Sequence, residues 1–299
     1  MSTVSQPPRP TPDYTLPAQM RLGAVQVRVA NLARSVDFYT NTLGLAPLED
    51  TPDPPGQAVL TANQVDPLLV LTELPAPRPK PGRATGLYHF AILFAKRADL
   101  GRALTRLLQT RYPLQGASDH LVSEALYLAD PDGNGIELYW DRPRTVWPRL
   151  GEQIRMDSLP LDLDDLIADG RRAEAWTSVP ASTVMGHVHL HVAHIAAAER
   201  FYRQVLGLDL MLRFGGSAIF LAAGGYHHHL GANVWAGVGA PPTPADAPGL
   251  DHWTLLLPGP ADLAEFTAHL AASHIAFEEV EGGVFVTDPA GNRVAVRVG

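Results

Sequence analysis

The chain has 299 residues, of which 46% are apolar and 18% charged, an ordinary globular balance with enough length for two cores of domain size. A formal charge of -8 argues against a nucleic-acid groove, no apolar run approaches the length of a membrane span, and the start carries no signal-peptide pattern. The lack of cysteine removes disulfides, zinc–thiolate sites and thiol nucleophiles, and fits a cytoplasmic protein.

In chain order, residues 1–20 are polar and proline-rich and are expected to form a disordered arm. "LGAVQVRVANLARSVDFYTNTLGL" follows, an alternating apolar strand and then an amphipathic helix, and short strands punctuated by Gly, Pro and Asp complete a first unit at residues 22–75. The same β-α-β-β-β pattern recurs at 87–142, 185–237 and 250–298. Pro-rich stretches at 75–81 and 241–248 separate the units within each half. Residues 143–184, with "LDLDDLIADG" as a short helix, link a first domain (21–142) to a second (185–299).

The halves are copies. Leu22–Leu45 lies over Met185–Leu208 without a gap, pairing Gly23 with Gly186, Val25 with Val188, Phe38 with Phe201, Tyr39 with Tyr202 and Gly44 with Gly207. "GLYHFAILFAKRADL" lies over "GLDHWTLLLPGPADL", and "DPDGNGIELYW" over "DPAGNRVAVRV". One stretch stands out, "GHVHLHVAH" from Gly186 to His194: on a strand His187, His189 and His191 share a face, so they read as a one-strand chelate, a proton relay or the wall of a cavity.

Four β-α-β-β-β units, the "FYxxxLGL" helix ending and the "DPxGN" turn resemble the vicinal oxygen chelate superfamily, which includes glyoxalase I, bleomycin-resistance proteins and type I extradiol dioxygenases. The resemblance covers nearly all of the chain after residue 20. It implies an α+β fold in which paired units form two cup-shaped, curved mixed sheets with flanking helices. Metal ligands in that superfamily occupy fixed addresses on first and last strands of the units. Here the first-strand addresses are Ala24, His89, His187 and His252, and the last-strand address four residues after the Gly of "DPxG" is Glu137 or Ala295. Pairing neighbouring units leaves each set incomplete. Pairing the second with the third unites His89, Glu137 and His187, two imidazoles and a carboxylate, the set expected of a non-haem Fe(II) site with open positions, with Mn(II) as the alternative. His187 with His189 on one strand is the rival chelate, and a plain structural role remains open for every one of these histidines.

"DHLVSEALYLADPDGNGIELYW" resembles the extradiol dioxygenase signature, carried by His120, Leu126, Tyr127, Asp130, Pro131, Gly133 and Glu137. It departs at Ser118, and it lies in the second unit, whereas the family carries it in the last. By resemblance His120 and Tyr127 face substrate and oxygen. "YHHHLGANVW" resembles the family's strand with an active-site base, which falls on His228, with His227 and His229 out of phase and facing away. Trp235, Tyr139 and His189 are candidates for the cavity wall. No Asp or Glu lies between Leu210 and Ala245, so the third unit offers no further carboxylate, unlike glyoxalase I. The resemblance thus implies ring cleavage of a small aromatic diol by O2, with a glyoxalase-type isomerase or lyase and a metal-free binding protein as the alternatives. Neither membrane nor nucleic acid is an expected partner, and a homo-oligomer stays open.

Overall fold

The structure, a computed structural model, describes residues 14–49, 54–151, 153–173 and 176–299. Four units follow one another. The first runs β1 (Arg21–Val29), α1 (Leu32–Asp37), β2 (Ala46–Pro47), β3 (Gln57–Thr61) and β4 (Pro67–Glu73). The second runs β5 (Gly86–Phe94), α2 (Arg97–Thr110), β6 (Gly116–Asp119), β7 (Ser123–Ala129) and β8 (Gly135–Asp141). A connecting segment carries β9 (Arg149–Leu150), β10 (Gln153–Ile154) and α3 (Leu163–Arg171). The third unit runs β11 (Val184–His191), α4 (Ile195–Arg200), β12 (Asp209–Phe214), β13 (Ala218–Ala222) and β14 (Leu230–Asn233). The fourth runs β15 (Gly249–Leu257), α5 (Pro260–Ala272), β16 (Glu278–Val280), β17 (Gly283–Thr287) and β18 (Arg293–Val298).

Local chemistry explains these elements. The alternation of β1 buries Val25, Val27 and Val29 on one face. Asn31 caps α1 by accepting from the Arg34 N–H at 2.8 Å, and Pro260 opens α5 where its missing N–H costs nothing. At the two "FY" pairs α1 and α4 widen into π-helical turns, Phe38–Thr42 and Phe201–Val205. Gly44 and Gly207 then end both helices at φ of 83° and 79°, a left-handed conformation that favours glycine.

The strands form two eight-stranded mixed sheets, and each joins units from different halves of the chain. One has the order β16-β17-β18-β15-β1-β4-β3-β2, from the first and fourth units; the other has the order β12-β13-β14-β11-β5-β8-β7-β6, from the second and third. Within a unit the first and last strands run parallel, as β5 with β8 and β11 with β14. The seams β1/β15 and β5/β11 are antiparallel. One continuous apolar core, with Val25, Phe90, Val188 and Trp253 among its members, joins both sheets and the helices.

Within each half the units are stapled in order. Tyr39 Oη donates to Asp130 at 2.9 Å and Tyr202 Oη to Asp288 at 2.7 Å. Each aspartate also accepts the backbone N–H and side-chain amide of the Asn that ends its "DPxGN" turn, Asn134 or Asn292. The "FY" and "DPxGN" motifs are thus two ends of one buried contact.

Two expectations change. Of the arm, residues 1–13 lie outside the described residues, but Tyr14–Met20 pack against the body. Leu16 N–H donates to the Gly207 carbonyl, Leu16 and Met20 are buried, and Tyr14 stacks on His269. An apolar residue every few positions in an otherwise proline-rich stretch suffices to dock it. The segment 143–184 is also more than a connection: α3 lies against α2 so closely that Gly101 and Gly170 face one another with no room for a side chain on either, and residues 156–158 reach the cavity described next.

Candidate metal centre

The central strands of the second sheet place three side chains over one point. In register, Glu137 of β8 pairs with Ala91 of β5, and Ala91 pairs with His187 of β11. His89 lies two residues before Ala91 and so shares its face. The methyl group of Ala91 is all that rises between the acid and the imidazole, which lets both lean inward. A register shift in β11 between Met185 and His187 turns His187 into place. Gly186, at that shift, has room for a Cβ only if Tyr139 moves, because the added atom would overlap the Tyr139 hydroxyl.

His89 Nε2 lies 3.0 Å and His187 Nε2 3.1 Å from the same oxygen, Glu137 Oε2. All three side chains are buried, and their ligand atoms lie within 4.8 Å of one another, the one such cluster among the described residues. Burial alone would raise the Glu137 carboxyl, but His187 and then His89 outweigh it and hold it well below the usual carboxylate range. Burial lowers His187 despite the neighbouring carboxylate. His89 Nε2 is buried, and its polar neighbour is the Glu137 carboxylate. A carboxylate held ionised, with two buried imidazole nitrogens converging on one of its oxygens, is a donor set that fits a divalent first-row cation.

A cavity of about 340 Å³ opens over this cluster, with His89 and Glu137 in its wall and His187 beneath. His120, Tyr127, His189, His228 and Trp235 also line it. His120 Nδ1 donates to the Asp157 carbonyl at 2.7 Å, which leaves Nε2 as an acceptor for the Tyr127 hydroxyl at 2.6 Å. Burial, with the Glu137 charge behind it, pushes the Tyr127 phenol well up, so it stays protonated. His189 sits across from Gly231, the position on β14 that matches Glu137 on β8. A Cβ at Gly231 would lie 2.7 Å from the His189 ring, so an imidazole fills the space a second carboxylate would need. Burial and the neighbouring His89 and His187 hold His189 well below the ordinary histidine value, and burial with His187 and His227 does the same to His228.

The histidine row of β11 is therefore divided. His187 joins the acid, His189 the cavity wall, and His191 turns to Asn233 at 2.7 Å. His194 falls past the strand at the start of α4, and His252 lies on the other sheet, bonded to Asp251 at 2.8 Å.

Two readings are corrected. Tyr139 does not line the cavity: it is fully buried below, its ring 4.8 Å from that of His187 and its hydroxyl 2.9 Å from that of Tyr226. His227 does not face away from His228, because 226–229 is not strand. Gly224 and Gly225, at φ of 61° and 67°, turn the chain, β14 begins only at Leu230, and in the bend His227 Nδ1 and His228 Nδ1 meet at 2.7 Å. Asp141 and the 156–158 segment escaped sequence reasoning. For Asp141 the signal was present, since Glu137, Tyr139 and Asp141 share one face of β8 by their period of two. For the segment there was none.

Residues 21–138 and 184–296 match the model of the Glyoxalase/Bleomycin resistance protein/Dioxygenase superfamily. A Bacillus subtilis (strain 168) protein named catechol-2,3-dioxygenase is 44% identical over 271 residues, which span 90% of this chain and 93% of that one. The chain belongs to the glyoxalase/bleomycin resistance protein/dioxygenase superfamily. Within it, the 44% relative places the chain among enzymes related to catechol-2,3-dioxygenase. Solved structures share the fold. A Bacillus subtilis protein assigned as a dioxygenase superposes with a TM-score of 0.66 at 14% identity, covering 93% of this chain and 84% of that one. Glyoxalase I from Zea mays gives 0.57 at 15% identity, covering 94% and 92%.

Proposed function

We propose that this superfamily member is a cytoplasmic extradiol dioxygenase that opens a catechol-type ring with O2 at one metal ion held by His89, Glu137 and His187. The observation that carries the reading is the ligand count. Three donors converge, and the address that would supply another carboxylate is Gly231, covered by His189. Fe(II), or Mn(II) in its place, would supply neighbouring open positions there for the two diol oxygens and O2.

The chain's own residues then divide the work. His228, neutral through burial and facing the cavity, takes a proton from the diol as it binds. His120 and Tyr127, also in the cavity wall, hold one proton between them, ready for an oxygen that gains charge as the ring opens. His189, neutral and without a partner on Nε2, adds bulk but no charge beside the metal face. Phe220, Leu212 and Met156 give the cavity an apolar stretch of wall that suits an aromatic ring.

Three assays on the purified protein separate this from the alternatives. Loading with Fe(II) under anaerobic conditions, then adding catechol and O2, should consume oxygen in step with a yellow ring-opened product. Turnover of a hemithioacetal without oxygen would instead make it an isomerase of glyoxalase type. Ligand binding that is indifferent to chelators would make it a binding protein.

A further inference from the structure

A five-membered hydrogen-bond chain runs from beneath the metal cluster to the cavity. Tyr139 Oη lies 2.9 Å from Tyr226 Oη, which donates to Asp141 Oδ2 at 2.7 Å. Asp141 Oδ1 lies 2.8 Å from His227 Nε2, and His227 Nδ1 lies 2.7 Å from His228 Nδ1. The anchors are buried: Tyr139, Tyr226, His227 and His228 are at most 8% exposed.

The proton positions in this chain follow from its one fixed member. A carboxylate only accepts. His227 therefore carries its proton on Nε2, toward Asp141. Its Nδ1 is then bare and accepts, so His228 carries its proton on Nδ1. The Nε2 of His228 is left bare, on a ring that lines the cavity. We infer that Asp141 and His227 are positioning residues, which set the tautomer and orientation of His228 so that its free nitrogen faces the bound diol. The inference rests on the reading of His228 as the group that accepts the diol's proton. Tyr226 and Tyr139 have a supporting part: two hydroxyls donating in series hold the carboxylate of Asp141 square to His227.

Asp141→Asn makes a sharp test, because it reverses the chain with hardly any change of shape. Tyr226 still donates to the amide oxygen, so the amide NH2 faces His227 Nε2. His227 must then protonate Nδ1, donate to His228 Nδ1 and leave His228 with its proton on Nε2, where it blocks acceptance. The direct readout is ¹⁵N NMR of histidine-labelled, Zn(II)-loaded full-length protein, with the His228 signals assigned by their loss in His228→Gln. The wild type should show His228 protonated on Nδ1, and Asp141→Asn should move that proton to Nε2. With Fe(II) loaded, Asp141→Asn should lower kcat by ~10- to 100-fold, the range for a lost partner of a site histidine, with KM for catechol and metal content unchanged. Asp141→Glu should recover both the tautomer and most of kcat. A wild-type tautomer in Asp141→Asn, or a kcat within about twofold of wild type, overturns the inference. The underlying reading fails separately: if His228→Gln turns over normally, His228 is not the acceptor, whatever its tautomer.

Discussion

The two sheets are built from the same unit and have the same strand order, yet among the described residues the candidate ligand cluster lies on one of them. At matching addresses the inner sheet has His89, Glu137, His187 and Gly231, and the outer sheet has Ala24, Val70, His252 and Ala295. The sheet of the first and fourth units carries cross-links on the face opposite Val25 and Val27 instead. Gln26 donates to Thr72, Arg28 to Asp251 and the Ala247 carbonyl, and Arg293 lies over Phe285. The scaffold motifs, by contrast, are kept in both halves: the Tyr39–Asp130 and Tyr202–Asp288 staples match almost bond for bond. The fold therefore repeats the same positions on both sheets, and side-chain identity at four of them separates the sheet with a candidate metal cluster from the sheet without one.

That contrast breaks most easily at the metal. Glu137→Ala and His187→Ala should each reduce bound iron from near stoichiometric to background by elemental analysis, while His252→Ala keeps it. Loss of iron in His252→Ala would move the site to the outer sheet and sink the assignment.

Acidification comes next. His189, His228 and His229 all belong to the inner sheet's third unit, and burial lowers each, His229 to about 3. Their folded values lie below the unfolded value near 6.5, so between the two the unfolded chain binds more protons and stability rises with pH. Metal-free protein should lose stability as pH falls below about 6.5, by up to ~1.4 kcal/mol per pH unit for each such histidine. Denaturant midpoints between pH 7.5 and 5.5 read this, and His189→Gln, which copies Gln26 of the first unit, should flatten the slope. A flat profile in the wild type would contradict the burial of these rings.

The smallest effect compares two glycines. Gly186→Ala pushes a methyl group into the Tyr139 hydroxyl and should cost about 1–3 kcal/mol, an overpacked core. Its copy, Gly23→Ala, meets the flexible ends of Leu256 and Thr254 at 3.1 Å and should cost less. Equal losses in urea denaturation would mean that the β11 bulge is not held by Tyr139.

The sequence made the repeat legible because each unit must carry its own apolar alternation and its own turn. The cross-wise pairing was legible only through chemistry: at the ligand addresses of its own half Glu137 had His89, but Ala24 where a second histidine was needed. What stayed hidden lay where local rules end. The Gly224–Gly225 turn broke the alternation that had His227 facing away, and Met156–Ser158 reach the cavity by tertiary packing, which no periodicity encodes. Tyr139 satisfied the face rule for the cavity but sits below its floor, since alternation gives direction and not depth.

The cross-wise pairing also sets a timetable. On a ribosome the first unit emerges with its β1 edge unpaired, and β15, its partner, is more than 220 residues behind. The second and third units can zip together sooner, so the sheet with the metal addresses should close first and the outer sheet last, like a clasp. Such distant pairing makes for slow folding and a long-exposed strand edge. A chain stopped within the 143–184 segment would then hold half of each sheet and the whole of neither.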